Sequence, residues 1–173
     1  MIRDARPDDT GEICDIYNHY ALNTIITFEE EAVSAEAMRL RIDEITRTYP
    51  WLVICTEERI MGYAYAYPWK TRAAYRHTVE SGIYLHPNAV GRGTGTQLYA
   101  ALLDRLKVRG IHAVIGGIAL PNPASVALHE KLGFEKIGHF KAVGFKFGKW
   151  IDVGYWQILL GRADSPSKNN PSA

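Results

Sequence analysis

HTVESGIYLHPNAVGRGTGTQLYAALLDRL, His77 to Leu106, reads as a strand, a glycine-rich loop and a helix in immediate succession. His77–Leu85 carries β-branched and apolar residues at most positions, as a buried strand does. Gly91, Gly93 and Gly95 then alternate. Leu98, Leu102 and Leu106 recur one helical turn apart, and Gly110 is the matching stop. Glycine has no Cβ, so the N–H groups of such a loop approach an anion closely, and the dipole of the following helix adds positive character. The segment is a candidate pyrophosphate cradle, with Arg92 at its rim. A Walker loop would need lysine after its last glycine, and Gly95-Thr96-Gln97 has none. A dinucleotide fingerprint would need glycine where Leu98 stands and would open the first β-α unit of the chain. A glycine turn without a ligand stays open on these residues alone.

Working outward, Ile2–Ala5 reads as a short strand. Asp9 opens a helix, with Glu12 in capping-box position, and Ile13, Ile16, Tyr17 and Tyr20 follow at helical spacing. Thr24–Phe28 is an irregular loop. Ser34 caps a second helix with Met38, Ile42 and Ile45 on one face. Trp51–Thr56 and Ile60–Tyr67 form a hairpin around Glu57–Arg59. Beyond the central segment come a buried strand, Ile111–Ala119, and a helix with Asn122 as cap, Pro123 at its first position and Gly133 as stop. Phe134–Lys146 and Trp150–Leu160 are two final strands around Gly148. This order predicts an α/β domain: a mixed sheet of about seven strands, about four helices on its two faces, and parallel neighbours around Ile83 and Val114. The domain spans residues 1–162. The end of the chain, Ala163–Ala173, has no large apolar residue and reads as a disordered tail.

The 173 residues carry 20 Lys and Arg against 19 Asp and Glu, a net charge of +1. That balance speaks against nucleic acid and against a polybasic membrane surface. No apolar run is long enough to span a bilayer, and MIRDARPDD has no signal-peptide core. Cys14 and Cys55 each sit in an apolar run, as free thiols of a reducing cytoplasm do. His77, His86, His112 and His139 lack metal-ligand spacing, so no metal is expected. No G-x-S-x-G elbow exists for a serine hydrolase.

Within the central strand, Glu80 is a carboxylate among apolar and β-branched neighbours. Partial burial would raise its pKa toward the range of a general base. The alternative is a strand glutamate paired with Arg72 or Arg76. Those two arginines lie in a turn with Trp69 and Tyr75 interleaved, a pattern suited to bidentate capture of carboxylate or phosphinate. A solvated loop is the other reading. Phe28 and the acidic run Glu29-Glu30-Glu31 are placed to cover such a site, with Glu30 meeting an amine.

Val90-Gly91-Arg92-Gly93-Thr94-Gly95 and NPASVALHEKLGF (Asn122–Phe134) resemble the two cofactor motifs of the GCN5-related N-acetyltransferase (GNAT) superfamily. Val90 departs from the usual Gln or Arg. PWKTRAAYRHTVESGIYLHP (Pro68–Pro87), NHY (Asn18–Tyr20), YPWLV (Tyr49–Val53) and GFKFGKWIDVGYWQ (Gly144–Gln157) resemble, more narrowly, phosphinothricin and methionine sulfoximine/sulfone N-acetyltransferases. The resemblance implies the GNAT fold, acetyl-CoA as cosubstrate and an amino-acid-like acceptor. It places the cofactor on Gly91, Arg92, Gly93, Thr94, Gly95 and Thr96, on the backbone of Ile83, Tyr84 and Leu85, and on Asn122 and Ser125. It makes Glu80 the base, acting directly or through a water, and His129, where many members have Tyr, the acid. Arg72 matches the phosphinothricin branch and Arg76 the methionine sulfoximine branch. Relatives pair as homodimers, for which Phe145, Phe147, Trp150 and Trp156 offer an apolar surface. Two rivals stand beside this reading: the same fold acting on a polyamine or protein N-terminus, and a non-catalytic coenzyme A sensor.

Overall fold

The computed structural model of the chain describes residues 1–161; the expected tail, Ala163–Ala173, lies outside them. Seven strands and four helices follow one another as β1 (Ile2–Asp4), α1 (Thr10–Asn23), α2 (Ala35–Thr46), β2 (Trp51–Cys55), β3 (Ile60–Pro68), β4 (Thr78–Leu85), α3 (Thr94–Val108), β5 (Ala113–Leu120), α4 (Pro123–Lys131), β6 (Glu135–Lys146) and β7 (Lys149–Leu159). The strands form one sheet in the order β1-β2-β3-β4-β5-β7-β6. All neighbours are antiparallel except β4 and β5. That is the mixed seven-stranded sheet with four helices that the element order predicts.

The helices divide the apolar residues into two cores, one on each face of the sheet. On one face Leu98, Leu102 and Leu106 of α3 are fully buried against Leu52, Ala64, Val79 and Val114. Each such leucine is worth about 2 kcal/mol of burial. On the other face Ile13, Ile16 and Tyr17 of α1 and Met38 and Ile42 of α2 pack on Trp51, Val53 and Tyr63. Cys14 and Cys55 are buried free thiols in this second core.

Local signals place most helix ends. Ser34 Oγ accepts from Ala37 N at 3.1 Å, and Asn122 Oδ1 accepts from Ser125 N at 3.1 Å. The α1 entrance differs from the expected capping box. Asp9 has helical backbone angles and makes no side-chain cap bond to α1. Its carboxylate instead accepts from the backbone of Arg6 at 2.7 Å and from the Arg3 guanidinium at 2.6 and 2.9 Å. Glu12 turns away and accepts from Ile60 N at 2.8 Å. A guanidinium from β1 and a backbone N–H from β3 thus draw the two carboxylates away from a local cap, in bonds assisted by the carboxylate charge.

The parallel pairing was expected around Ile83 and Val114. It is confined to Thr78–Glu80 against Ala113–Ile115. From Ser81 onward β4 and β5 diverge, and Ile83 has no β5 partner. β4 stays paired with β3 through Leu85. On the far side of the sheet β6 is an edge strand. Phe140, Val143, Phe145, Phe147 and Trp150 are each more than half exposed there, whereas Trp156 is 2% exposed and belongs to the core. Of the aromatics expected to form an apolar surface, only Trp156 is therefore internal; its place on β7 faces α3 and α4.

The Arg3 guanidinium, followed by the Arg6 backbone, holds the Asp9 carboxyl below its ordinary value of 3.8. A depressed carboxyl stabilises the fold above the unfolded-state pKa and ceases to do so as pH falls through the folded one. Asp9→Asn is expected to cost about 1–2 kcal/mol in urea unfolding at pH 7, and the difference from wild type is expected to shrink progressively as pH falls below the ordinary carboxylate value.

Candidate active site

A cleft opens where β4 and β5 part. Its lining includes Tyr65 and Tyr67 of β3, Glu80 to Tyr84 of β4, Gly117 to Ala119 of β5, and Asn122, Ser125 and His129 of α4 or its cap; Ile26 contributes from the loop after α1. The two strands leave backbone groups unpaired here. His86 N donates to Met61 O at 2.9 Å, which makes residues 80, 82 and 84 the ones bonded to β3. By antiparallel alternation, the N–H groups of Ile83 and Leu85 point into the gap. Tyr84 was expected to donate there too, but its N–H faces β3. Its ring instead stacks on Tyr63 and meets Tyr17 and Tyr20. The Tyr20 hydroxyl donates to Leu85 O at 2.6 Å and so ties α1 to the end of the divergent strand.

Beyond Leu85 the chain enters the glycine loop. Gly91 and Gly93 both have φ of +78°, a left-handed conformation that suits glycine. Gly93 caps α3 with no side-chain bond, and the first helical bond runs from Gln97 N to Gly93 O. The N–H groups of Thr94, Gly95 and Thr96 form an open first turn, the arrangement that binds phosphate oxygens. Arg92 is exposed beside it, and Val90 is half exposed. Gly95 is buried, and a Cβ there would lie 3.2 Å from Leu85 and 3.4 Å from Leu128. Asn122 spends its Oδ1 on the helix cap, which leaves Nδ2 to donate. These groups suit a cofactor with a pyrophosphate and an amide-bearing arm.

Glu80 is the carboxylate of the cleft. Burial pushes its pKa above the ordinary value of 4.5, against the opposing effects of the Tyr67 hydroxyl and the Lys70 ammonium. Among the described residues no cation lies within 4 Å of it. The pairing of Glu80 with Arg72 or Arg76 is therefore absent. Lys70, which was not singled out, is the cation that acts on it, and it lies over the Trp69 ring at 4.6 Å.

His129 is 4% exposed. Its Nδ1 lies 2.8 Å from Ser125 O, and since a carbonyl only accepts, Nδ1 carries a proton. Its Nε2 lies 3.1 Å from the Tyr99 hydroxyl, which lies 2.7 Å from Ser81 Oγ on the cleft wall. Burial lowers the His129 pKa, and the Ser125 carbonyl works against that. Both ring nitrogens are thus engaged inside the protein, and in the neutral ring Nε2 accepts from the Tyr99 hydroxyl.

Two adjacent glycines of β5 make room for these side chains. A Cβ on Gly116 would lie 2.5 Å from His129 Nε2, and one on Gly117 would lie 3.2 Å from Glu80 Oε1. Paired glycines inside a buried strand signal a close approach, and that signal was available in the sequence. The other expected residues lie further out. Arg72, Tyr75 and Arg76 are exposed around the short helical turn Ala73–Tyr75 and are not part of the cleft wall; Arg76 donates to Ala73 O at 3.2 Å. Phe28 is turned away from the cleft and covers Gly144 of β6. Glu30 is exposed. Ile26, two residues before Phe28, reaches the cleft in its place.

Residues 2–154 match the acetyltransferase (GNAT) domain model. The chain belongs to the GNAT family and is an N-acetyltransferase. It is 40% identical over 156 residues to a phosphinothricin N-acetyltransferase of Streptomyces viridochromogenes, covering 90% of this chain and 85% of that protein. It is 34% identical over 167 residues to an L-methionine sulfoximine/L-methionine sulfone acetyltransferase of Salmonella typhimurium, covering 95% and 97%. The crystal structure of a Sinorhizobium meliloti phosphinothricin acetyltransferase, in complex with acetyl-CoA, superposes with a TM-score of 0.92 at 40% identity, covering 98% of this chain and 94% of that one. Among the described residues no cluster of three or more His, Cys, Asp or Glu side chains is arranged to hold a metal ion, and no helix is long and apolar enough to cross a membrane.

Gly116→Ala is expected to displace the His129 ring and to cost about 1–3 kcal/mol in thermal or urea unfolding, as overpacking does. Gly138→Ala, where a Cβ meets nothing within 4 Å, is the control and should unfold like wild type.

Proposed function

We propose that this chain transfers the acetyl group of acetyl-CoA to the α-amino group of a small amino-acid-like acceptor, with both substrates bound together. Phosphinothricin, methionine sulfoximine and methionine sulfone are the candidate acceptors. The observation that carries the reading is Glu80, a partly buried carboxylate with a raised pKa and no cation within 4 Å, set where β4 and β5 part. The relatives' names support the acceptor class.

Bound acetyl-CoA supplies the activated acetyl group and a sulfur leaving group. The open first turn of α3, Gly91 and Gly93 would hold its pyrophosphate, with Arg92 adding charge at the rim. Ile83 and Leu85 N–H groups, with Asn122 Nδ2 and Ser125, would hold its arm. Only a neutral amine is nucleophilic, so Glu80 removes a proton from the acceptor ammonium, directly or through a water. As the acid His129 acts from its imidazolium form: Nε2–H passes to the Tyr99 oxygen, Tyr99 gives its own proton to Ser81 and Ser81 gives one to the departing sulfur, which leaves a neutral ring with Nδ1–H on the Ser125 carbonyl. Arg72 and Arg76 stand on the exposed turn next to Trp69 and would reach an acceptor's acidic group only from outside the cleft wall. That places them at the acceptor's entrance, with Tyr75. Phe28 and Glu30 act through the loop that carries Ile26.

The test is thiol release from acetyl-CoA with phosphinothricin, methionine sulfoximine, methionine sulfone, glutamate, spermidine and a short peptide as acceptors. Turnover confined to the first three supports the reading. Coenzyme A binding without turnover would favour a sensor, and turnover of spermidine or the peptide a different acceptor. Glu80→Gln should lower kcat by about 100-fold or more. The wild-type kcat/KM profile should lose activity on its acid side at a pH above the ordinary glutamate value, because Glu80 must be ionised to accept a proton.

The exposed aromatics of β6 and the β6–β7 turn lead us to propose a homodimer contact there. Trp150 is 68% exposed. Trp150→Glu is expected to halve the mass seen by light scattering; an unchanged mass would remove the contact from this face. Two buried free thiols suit a cytoplasmic location.

A further inference from the structure

Lys146 closes β6, and its side chain is among the most deeply buried in the protein, at 1% exposure for the residue. No carboxylate within 4 Å pairs with it among the described residues. Its ammonium instead donates to Ala21 O at 2.6 Å and to Thr27 O at 2.7 Å. Taking an ammonium out of water without a close counter-charge is costly, so a buried lysine whose hydrogen bonds go to two carbonyls, with the Phe147 ring at 5.1 Å and the Glu29 and Glu30 charges farther off, demands a reason. Its partners supply one. Ala21 is near the end of α1 and Thr27 is beyond it, so one cation grips both ends of the segment between them.

That segment carries Ile26, the residue by which the loop lines the cleft beside Tyr65, Tyr67 and Glu80. A second contact lies two residues back on β6, where the Phe28 ring covers Gly144. Further along, the Thr27 and Tyr17 hydroxyls are 2.8 Å apart, and Glu29 pairs with Arg41 at 2.7 Å. The loop therefore has its inner side on the cleft and its outer side latched to β6, more than a hundred residues away in sequence. Ile26 stands with Tyr65 and Tyr67, across the cleft from Asn122, Ser125 and His129. The latch thus bears on the acceptor end and leaves the cofactor end alone.

We infer that Lys146 is a positioning residue for acceptor binding: it fixes the loop Ala21–Thr27 in the conformation that completes the acceptor end of the cleft. The inference rests on the proposed assignment of that end to the acceptor. Lys146 touches neither substrate, and its removal should act on one KM only.

Lys146→Met keeps the length and apolar stem and removes the ammonium. With whichever acceptor the wild-type enzyme turns over, its acceptor KM should rise about 10-fold or more, while the acetyl-CoA KM and kcat at saturating acceptor stay within about 3-fold, the pattern of lost ground-state binding. Lys146→Arg, which keeps a cation, should recover part of the acceptor KM. Backbone hydrogen exchange should quicken in residues 22–28 of Lys146→Met and not in α3 or β5. An unchanged acceptor KM in a folded Lys146→Met enzyme overturns the inference, as does a parallel loss of every parameter with the melting temperature. If Lys146→Met does not fold, the wild-type protein decides. The amides of residues 22–28 should then be protected to a degree comparable with the end of β6, and rapid exchange there overturns the latch. Absence of wild-type turnover with every amino-acid acceptor would instead sink the acceptor assignment, and the exchange measurement would still judge the latch.

Discussion

Two parallel strands, β4 and β5, keep company for three residues and then separate, and the chemistry of this protein depends on the gap. A sheet that loses its ladder leaves N–H and C=O groups that must find other partners. On the β3 side nothing changes, because β4 stays paired to Leu85. On the β5 side Ile83 and Leu85 turn their donors toward open space. The separation is held from outside the sheet. Tyr20 bonds the Leu85 carbonyl, Ser81 turns to Tyr99, and the His129 ring occupies the room that Gly116 leaves bare. Residues from both faces of the sheet line the gap, Tyr65 from the side of α1 and α2 and Asn122, Ser125 and His129 from the side of α4.

Three wholly or partly buried ionisable groups bear on this region, two at the gap and Lys146 behind the loop that lines it, and each is handled differently. Glu80 has no cation within 4 Å, with Lys70 farther off, and burial raises its proton affinity. His129 is locked at both nitrogens. Its tautomer follows from the Ser125 carbonyl, and its contact with the cleft runs through two hydroxyls. Lys146 gives its hydrogen bonds to the carbonyls of Ala21 and Thr27 and lies over the Phe147 ring. Placing two of them on opposite faces of one strand requires glycine at 116 and 117 together, since any side chain at either position meets a catalytic candidate. The strand is thin where the chemistry needs space.

Much of the fold was legible in local pattern. The leucine stripe of α3, the Ser34 and Asn122 caps, the Glu57–Arg59 hairpin and the alternating glycines each depend on neighbours a few residues away, and the periodicity of side chains reports them directly. The glycine loop and Glu80 were legible for the same reason: a charge within an apolar strand and glycines at a helix entrance are anomalies of local sequence. Signals failed where a donor distant in sequence outcompeted a local one. Asp9 left its expected cap for Arg3, and Glu12 went to Ile60. Phe28 was read as a cover for the site but lies on Gly144, because β6 offers it a bare backbone that no local pattern reveals.

The sequence by itself determined the elements, their order, the glycine-rich entrance to α3 and the presence of an unusual carboxylate, all of which are set by periodicity, glycine conformation and side-chain chemistry. Tertiary structure alone decided where β4 and β5 part, which backbone donors face the gap, and that Tyr84 is not among them. It alone set Lys70 near Glu80, where Arg72 and Arg76 had been expected, and buried Lys146 against a loop from the other end of the chain. These depend on sheet register and on contacts between residues far apart in sequence. Their energies come from burial and from the satisfaction of backbone groups, which no stretch of chain carries until the whole sheet is assembled.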